Sequence, residues 1–468
     1  MRKFSLVLIS TFLPYIAVCE SEAQKMAEAL YANEFNNCGF AVMAVTDKGE
    51  KIVSLNEARL MNPGSNMKVV TTAAALAGLG EDYVWKTNVS YSGSIDSNGT
   101  LKGNIHIVGG GDPLLGSCNG RAPEIDFSLW MNCLKDAGIK AIDGAVMGDG
   151  SWIEGMREEP SWYYMDLGTY YGTCVSGLNF YENCKDIRVT PGKKEGEPLK
   201  DISPGFPDTP WMKWNYDCST GTRGSGDRLY LYLDHNGTEG TVRGTLAAGL
   251  PCKNVKFRNN NPELTVANEF CKYLVSNGIP VKNGALPFDG CKLGRTCAGI
   301  SPSLPLSEVV RETNRHSNNF CAEILFRTLG YEANGHNDIE SARKALAQLL
   351  PDKLKVMPYP NMINIVDGSG LSTQTRCTAE FICNVLRAAM DCGWFDVFRE
   401  SLVKISERVY LKTGTLSGCR ALCGYILPAS EGGDTIIFSI MVNNSPLGFL
   451  TLDKKEKQLI ELLSIENR

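Results

Sequence analysis

The chain has 468 residues, of which 43% are hydrophobic and 21% charged, with a formal net charge of −5. That length exceeds what one small core organises, so two or more domains are expected. The acidic balance argues against a nucleic-acid partner, which favours a basic face.

Arg2 and Lys3 precede the apolar stretch Phe4 to Val18, and small or polar residues follow. This is the layout of a secretory signal peptide, 1–23, with cleavage after Ala23. Cleavage after Cys19 is a second option, and lipidation of Cys19 a third. The stretch falls short of the roughly 20 apolar residues a spanning helix needs. Export permits disulfides, and the chain carries 17 cysteines. Cys291 and Cys297 flank a turn and are candidates for a bond. Cys419 and Cys423 on one strand would stand about 13 Å apart, too far to pair.

Gln24 to Tyr31 has the pattern of a helix. Cys38 to Val45 and Lys51 to Asn56 form a predicted hairpin about Asp47-Lys48-Gly49-Glu50. Ser65 to Leu79 is an alanine-rich helix, closed by Gly80 and small enough on its surface to be buried. Residues 86–285 differ in texture, with closely spaced turns and short strand-like runs such as Leu229 to Leu233, and are expected to be an inserted, mostly β region of one or two small domains. Helical periodicity returns at Leu306 to Asn314, Asn319 to Leu329 and Thr378 to Met390. Strands follow at Arg408 to Lys412, Arg420 to Leu427 and Thr435 to Val442. Leu452 to Leu463 is a final helix, expected to dock on the protein and at most to lie peripherally on a membrane. A mixed α/β unit, 24–85 plus 286–468, is thus interrupted and resumed.

Three short motifs carry chemistry. Ser65-Asn66-Met67-Lys68 places a hydroxyl and an ammonium nearly one helical turn apart, on one face. A partly desolvated lysine there loses its proton more easily and serves as base toward the serine. Alone the motif is weak: about two chance matches are expected in a chain this long, and Ser401 with Lys404 is one. Ser317-Asn318-Asn319 adds a second hydroxyl for proton relay and the Asn319 carboxamide for orienting a peptide. Lys412-Thr413-Gly414-Thr415 ends a strand. Its ammonium and hydroxyl suit a terminal carboxylate, and Gly414 leaves room along the strand edge. The backbone N–H groups of Ser65 and Thr415 are the candidate oxyanion hole. Each motif has a bland alternative in caps and turns. Their conjunction, in the order S-x-x-K, S-x-N, K-T-G and on the expected elements, makes an acyl-transfer serine enzyme the preferred reading. Gly109-Gly110-Gly111 lacks a following Gly-Lys-Ser/Thr and is not a phosphate loop. His106, His235, His316 and His336 show no metal spacing, and no metal or cofactor is expected.

At these residues the chain resembles the D-alanyl-D-alanine carboxypeptidase/endopeptidases of peptidase family S13, the class C low-molecular-mass penicillin-binding proteins. Further stretches carry the resemblance: Gly103 to Pro113, Trp162-Tyr163-Tyr164-Met165-Asp166, Ser317 to Gly330 with Ala322-Glu323, and Asp367-Gly368-Ser369-Gly370-Leu371-Ser372. Ser317 lies 252 positions after Ser65, a gap that fits the family's inserted domains. The resemblance implies a penicillin-binding/β-lactamase-like transpeptidase fold, a sheet flanked by helices. It implies an exported, periplasmic serine peptidase acting on peptidoglycan peptides ending in D-Ala-D-Ala, with β-lactams as inhibitors. Ser65 would be the nucleophile, Lys68 its base and Ser317 a proton relay. Asn319, Lys412, Thr413 and Gly414 would hold substrate, and Asp166 would recognise the amino end of the stem-peptide side chain. Two departures stand out. Met165-Asp166 replaces a pair of acids found in some members, and the segment Val403 to Leu411 before Lys412 is short, which opens the site on that side. A β-lactamase-like hydrolase and a non-catalytic peptidoglycan- or β-lactam-binding protein are the alternatives.

Overall fold

A computed structural model describes residues 21–234, 236–357 and 362–466. The candidate signal segment before Ser21, including Cys19, and His235 lie outside them. Six antiparallel strands form the central sheet, in the order Val403–Lys404, Val409–Leu416, Cys419–Ile426, Ile436–Asn443, Gly39–Thr46, Lys51–Leu55. The N-terminal hairpin therefore joins the C-terminal strands, with Gly39 opposite Asn443 and Thr46 opposite Ile436.

Strand periodicity explains the layering. Alternate side chains point to opposite faces. Ala41, Met43, Ala421, Cys423, Tyr425 and Met441 enter one buried cluster. Their neighbours Phe40, Val42, Ala44, Leu422, Phe438 and Ile440 enter another. Cys419–Ile426 and Ile436–Asn443 are buried at every position, because helices cover both faces. On the first face lie Met67–Leu79, Leu306–Arg315, Asn319–Asn334, Ile339–Leu354 and Ala379–Met390. Ala73, Ala74 and Ala75 are fully buried, so the alanine-rich helix Met67–Leu79 lets its neighbours approach closely. On the second face Glu22–Leu30 and Phe449–Glu466 pack, the latter through Leu452, Leu459, Ile460 and Leu463. The last helix is thus docked. Helix Glu22–Leu30 is capped by Ser21 Oγ, which accepts from Gln24 N at 3.0 Å. Ala23, in its first turn, is fully buried.

The region after Lys86 holds a five-stranded sheet, Ala285–Leu286, Val146–Asp149, Ile105–Val108, Lys86–Ser92, Arg295–Pro302. Its last strand, Arg295–Pro302, pairs with Lys86–Ser92. Two helices, Pro123–Asp136 and Pro262–Ser276, pack on it through Phe127, Trp130 and Phe270. The strand-rich texture hides both. Two three-stranded sheets, around Cys184–Thr190 and Glu239–Ala247, share a further small core. Gly109 and Gly110 serve close backbone packing: a Cβ on them would lie 2.2 Å from the Gly177 carbonyl and 2.6 Å from the Lys86 carbonyl.

All 16 cysteines among the described residues are free thiols. The Cys291–Cys297 bond is not formed. Each thiol instead bonds a nearby carbonyl, Cys291 Sγ donating to Leu293 O at 3.8 Å and Cys297 Sγ to Gly299 O at 3.6 Å.

Candidate active site

Ser65 stands in a 3-10 turn, Gly64–Asn66, that runs directly into helix Met67–Leu79. Asn62 and Asn443 set this turn. Asn62 N donates to Asn443 Oδ1 at 2.6 Å, Asn443 Nδ2 donates to Asn62 O at 3.0 Å, and Gly64 N donates to Asn62 Oδ1 at 2.7 Å. The turn that carries Ser65 is thereby tied to the end of the strand Ile436–Asn443.

Lys68 is fully buried one turn on. Its Nζ lies 2.9 Å from Ser65 Oγ, 2.5 Å from Asn319 Oδ1 and 2.8 Å from Ser369 O. Burial pushes its pKa well below the ordinary value, and the cation of Lys412 pushes the same way, while Asp367 and Glu323 oppose. A neutral amine has two donors and one lone pair. Asn319 Oδ1 and Ser369 O take the donors, which leaves the lone pair for the Ser65 hydroxyl proton. That is the geometry of a general base poised on its nucleophile.

Ser317 occupies the turn between helices Leu306–Arg315 and Asn319–Asn334 with φ +55°. A serine in the left-handed region persists only where its surroundings fix it. Asn318 supplies the fixing: its N donates to Thr313 O at 3.1 Å, its Nδ2 to Glu312 Oε1 at 3.1 Å, and its Oδ1 accepts from Cys321 N at 3.1 Å. Lys412 Nζ reaches Ser317 Oγ at 2.8 Å and the Thr413 carbonyl at 2.7 Å. Lys412 is buried, and burial brings its pKa down to about 7, with Arg420 contributing and Cys423 opposing.

The strand carrying Lys412 is paired on one side along its length. On the other it meets only Val403–Lys404, opposite Leu411 and Tyr410. The edge at Thr413–Thr415 is left free of that short strand. The room made by Gly414 is taken by the serine turn: a Cβ there would lie 2.5 Å from Pro63 O and 3.1 Å from Ser65 N. Likewise a Cβ on Gly64 would be 3.3 Å from Thr415 N. The two backbone N–H groups expected to bind an oxyanion are therefore held side by side. Arg420 Nη1 donates to Thr415 Oγ1 at 3.0 Å and is itself anchored by Glu456 and Asp453.

Around this cluster is a shell of groups that the motifs do not name. Asp367 accepts from Trp162 Nε1, Gly370 N, Ser372 N and Thr375 Oγ1. It shapes the loop that offers the Ser369 carbonyl to Lys68. Glu323 is buried with its carboxylate on Ser369 N at 2.8 Å, and burial raises its pKa to about 7. Asp166 stands apart from the Ser65–Lys68 cluster. Its Oδ1 accepts from Tyr171 OH at 3.2 Å, and the Tyr171 carbonyl accepts from Asn319 Nδ2 at 2.8 Å. Burial raises the Asp166 pKa, against that hydrogen bond. His316 is exposed, its Nε2 3.8 Å from Glu312. Ser401 and Lys404 turn to separate partners, Phe398 O and Glu407.

A family model, the D-Ala-D-Ala carboxypeptidase 3 (S13) family, matches residues 22–465. The chain belongs to this family. An S13 member is a serine peptidase of the D-Ala-D-Ala carboxypeptidase type. The D-alanyl-D-alanine carboxypeptidase of Actinomadura sp. (strain R39) is 28% identical over 439 residues, covering 87% of this chain and 78% of that protein. DacB of Haemophilus influenzae is 24% identical over 453 residues, covering 92% and 90%. The S13 fold is likewise that of a solved structure, penicillin binding protein 4 from H. influenzae, at a TM-score of 0.77 and 22% identity over 94% of this chain and 99% of that one.

Proposed function

We propose that Ser65 attacks the carbonyl between two terminal D-alanines of a peptidoglycan stem peptide, or the equivalent D,D-cross-link. The observation that carries this reading is the buried Lys68 amine, 2.9 Å from Ser65 Oγ with its charged form disfavoured. Lys68 takes the hydroxyl proton as the Oγ–C bond forms. The N–H groups of Ser65 and Thr415 receive the developing oxyanion. Ser317, bonded to Lys412, relays the proton that Lys68 took to the departing amine, so Lys68 is neutral again as the C–N bond breaks and the D-amino product leaves an ester on Ser65. Water then cleaves the ester with Lys68 again as base.

Lys412 and Thr413 hold the terminal carboxylate, Asn319 orients the peptide, and Asp166 meets the amino end of the side chain. β-Lactams acylate the same serine. Catalysis resides in the six-stranded unit and its helices, with the intervening residues as the inserted region. Export to the periplasm follows from the N-terminal segment. Cleavage after Cys19 suits the structure better than cleavage after Ala23, which would remove the Ser21 cap and the buried Ala23. Among the described residues no helix is long and apolar enough to cross a membrane.

Fluorescent penicillin labels wild type and not Ser65→Ala if the assignment holds, and labelling of Ser65→Ala overturns it. Release of D-alanine from a D-Ala-D-Ala peptide is expected alongside. Rapid β-lactam turnover would mark a β-lactamase-like hydrolase instead. Ligand binding without peptide cleavage would mark a binding protein.

A further inference from the structure

Behind the segment that carries Trp162, Asp166 and Tyr171 lies a cavity of about 760 Å³, separate from the Ser65 cluster. Its wall includes Trp162, Tyr164, Tyr232, Asp234, Arg258 and Asn260. A second cavity of about 480 Å³ adjoins it, with Trp211 and Phe288 in its wall. Arg157, Asn236 and Asn261 line both. Through these shared residues the two make one extended groove. Each cavity alone falls in the range of roughly 300–1,000 Å³ typical of ligand sites.

The chemistry of the wall narrows the ligand. Its charges are already matched: Arg258 pairs with Glu158, Arg157 with Glu263 at 3.2 Å, and Glu159 with Arg343 at 2.9 Å. Asp234 is occupied by the backbone N–H groups of Asn236, Thr238 and Glu239. Most of the charge in this wall is thus paired within the protein. What the groove offers is aromatic surface and amides. Tyr164 is 69% exposed, and its ring stands 6.3 Å from that of Tyr232 at 43°. The carboxamides of Asn236 and Asn261 belong to the wall of both cavities. Tilted aromatic rings beside amides suit a neutral, polar molecule with apolar C–H faces, which is the chemistry of a sugar ring.

The groove and the catalytic cluster share one wall. Trp162 Nε1 donates to Asp367 Oδ2 at 3.0 Å, and Thr373 Oγ1 donates to Tyr163 OH at 3.2 Å. Tyr164, the next residue in sequence, lines the groove. We propose that the groove is a saccharide-binding site that receives the glycan chain carrying the stem peptide. The proposal rests on the peptidoglycan reading above. It makes the inserted region a ruler that selects peptides still attached to glycan.

Two measurements test it. The first compares kcat/KM for a D-Ala-D-Ala stem peptide free and attached to its tetrasaccharide, in wild type, Tyr164→Ala and Tyr232→Ala. Wild type is expected to prefer the glycan-borne peptide by about fivefold or more, through KM. Each variant loses that preference while cleaving the free peptide within about twofold of wild type. No preference in wild type, or a preference that survives in both variants, overturns the proposal. The second measurement titrates the wild-type protein with a tetramer of β-1,4-linked N-acetylglucosamine and follows tryptophan fluorescence. Saturable binding, lost in Tyr164→Ala, is expected, and its absence at millimolar sugar overturns the proposal. Because this titration needs no turnover, it separates a failed saccharide site from a failed peptidase assignment.

Discussion

Lys412 Nζ donates to Ser317 Oγ at 2.8 Å, joining the third motif to the second across 95 positions. On the other side of the cleft Lys68 makes the matching contacts to Ser65 and Asn319. The two lysines are buried near enough for Lys412 to depress Lys68. Burial disfavours the ammonium of both; in the proposed mechanism they divide their roles, Lys68 acting as base without its proton and Lys412 keeping one for an incoming carboxylate.

This division predicts a bell-shaped pH profile. kcat/KM reports the free enzyme. It falls at low pH as Lys68 gains its proton, and it falls again above pH about 7 as Lys412 loses its own. A substrate whose terminal carboxylate is masked as an amide should be poorer throughout and lack the basic limb. A basic limb unchanged by masking would detach Lys412 from carboxylate binding. The stability sign is separate. The Lys412 pKa is lowered from 10.5 to about 7, so its buried charge destabilises fully below pH 7, and that cost is relieved between pH 7 and 10.5.

Glu323→Gln is predicted to stabilise the protein at alkaline pH. The Glu323 pKa is raised from 4.5 to about 7. A raised carboxyl contributes most below its unfolded value, and that contribution is lost as pH rises through the folded one. Glutamine keeps an acceptor for Ser369 N without the charge. Urea unfolding at pH 4 and pH 9 should show the variant gaining on wild type at the higher pH, by on the order of 2–3 kcal/mol. The acidic limb of kcat/KM should move to lower pH, because Glu323 helps Lys68 hold its proton. An equal effect at both pH values would count against a buried carboxylate charge.

The residues that cluster at the candidate site were legible in the sequence because each motif is local: Ser65 and Lys68 share a turn, and Lys412 and Thr413 adjoin. The central hairpin and final strands were legible from their periodicity. The support shell was not. Asn62 meets Asn443 across 381 positions, and Asn319 holds a backbone carbonyl at Tyr171, to which side-chain identity gives no clue. Asp367 and Glu323 were visible only as parts of a resemblance, not as the groups that position Ser369. The helices Pro123–Asp136 and Pro262–Ser276 did leave a signal, a proline in the first turn and, in the first, buried Phe127, Trp130, Met131 and Leu134 at helical spacing. Strand-rich neighbours on both sides outweighed it.

Gly414→Ala should disable acylation with little loss of fold. The added methyl would lie 2.5 Å from Pro63 O, far inside contact distance, and must push the strand away from the serine turn. The N–H groups of Ser65 and Thr415 then separate. Loss of one oxyanion donor typically costs about 100- to 1,000-fold in rate, so a drop of that order in penicillin acylation is expected. Circular dichroism and the unfolding midpoint should change far less. Acylation within tenfold of wild type would mean the strand and turn need not touch.

Asn319→Asp tests the link between Lys68 and the S-x-N motif. The wild-type amide accepts from Lys68 through Oδ1 and donates to the Tyr171 carbonyl through Nδ2. Aspartate loses the donor and sets a negative charge 2.5 Å from the amine. An adjacent anion favours the ammonium, so the acidic limb of kcat/KM should shift to higher pH. Asn319→Ala removes both hydrogen bonds without adding charge, and its rate should fall by about 10- to 100-fold with no upward shift of that limb. The contrast is decisive: if both variants show the same limb, Asn319 positions the site without tuning its base.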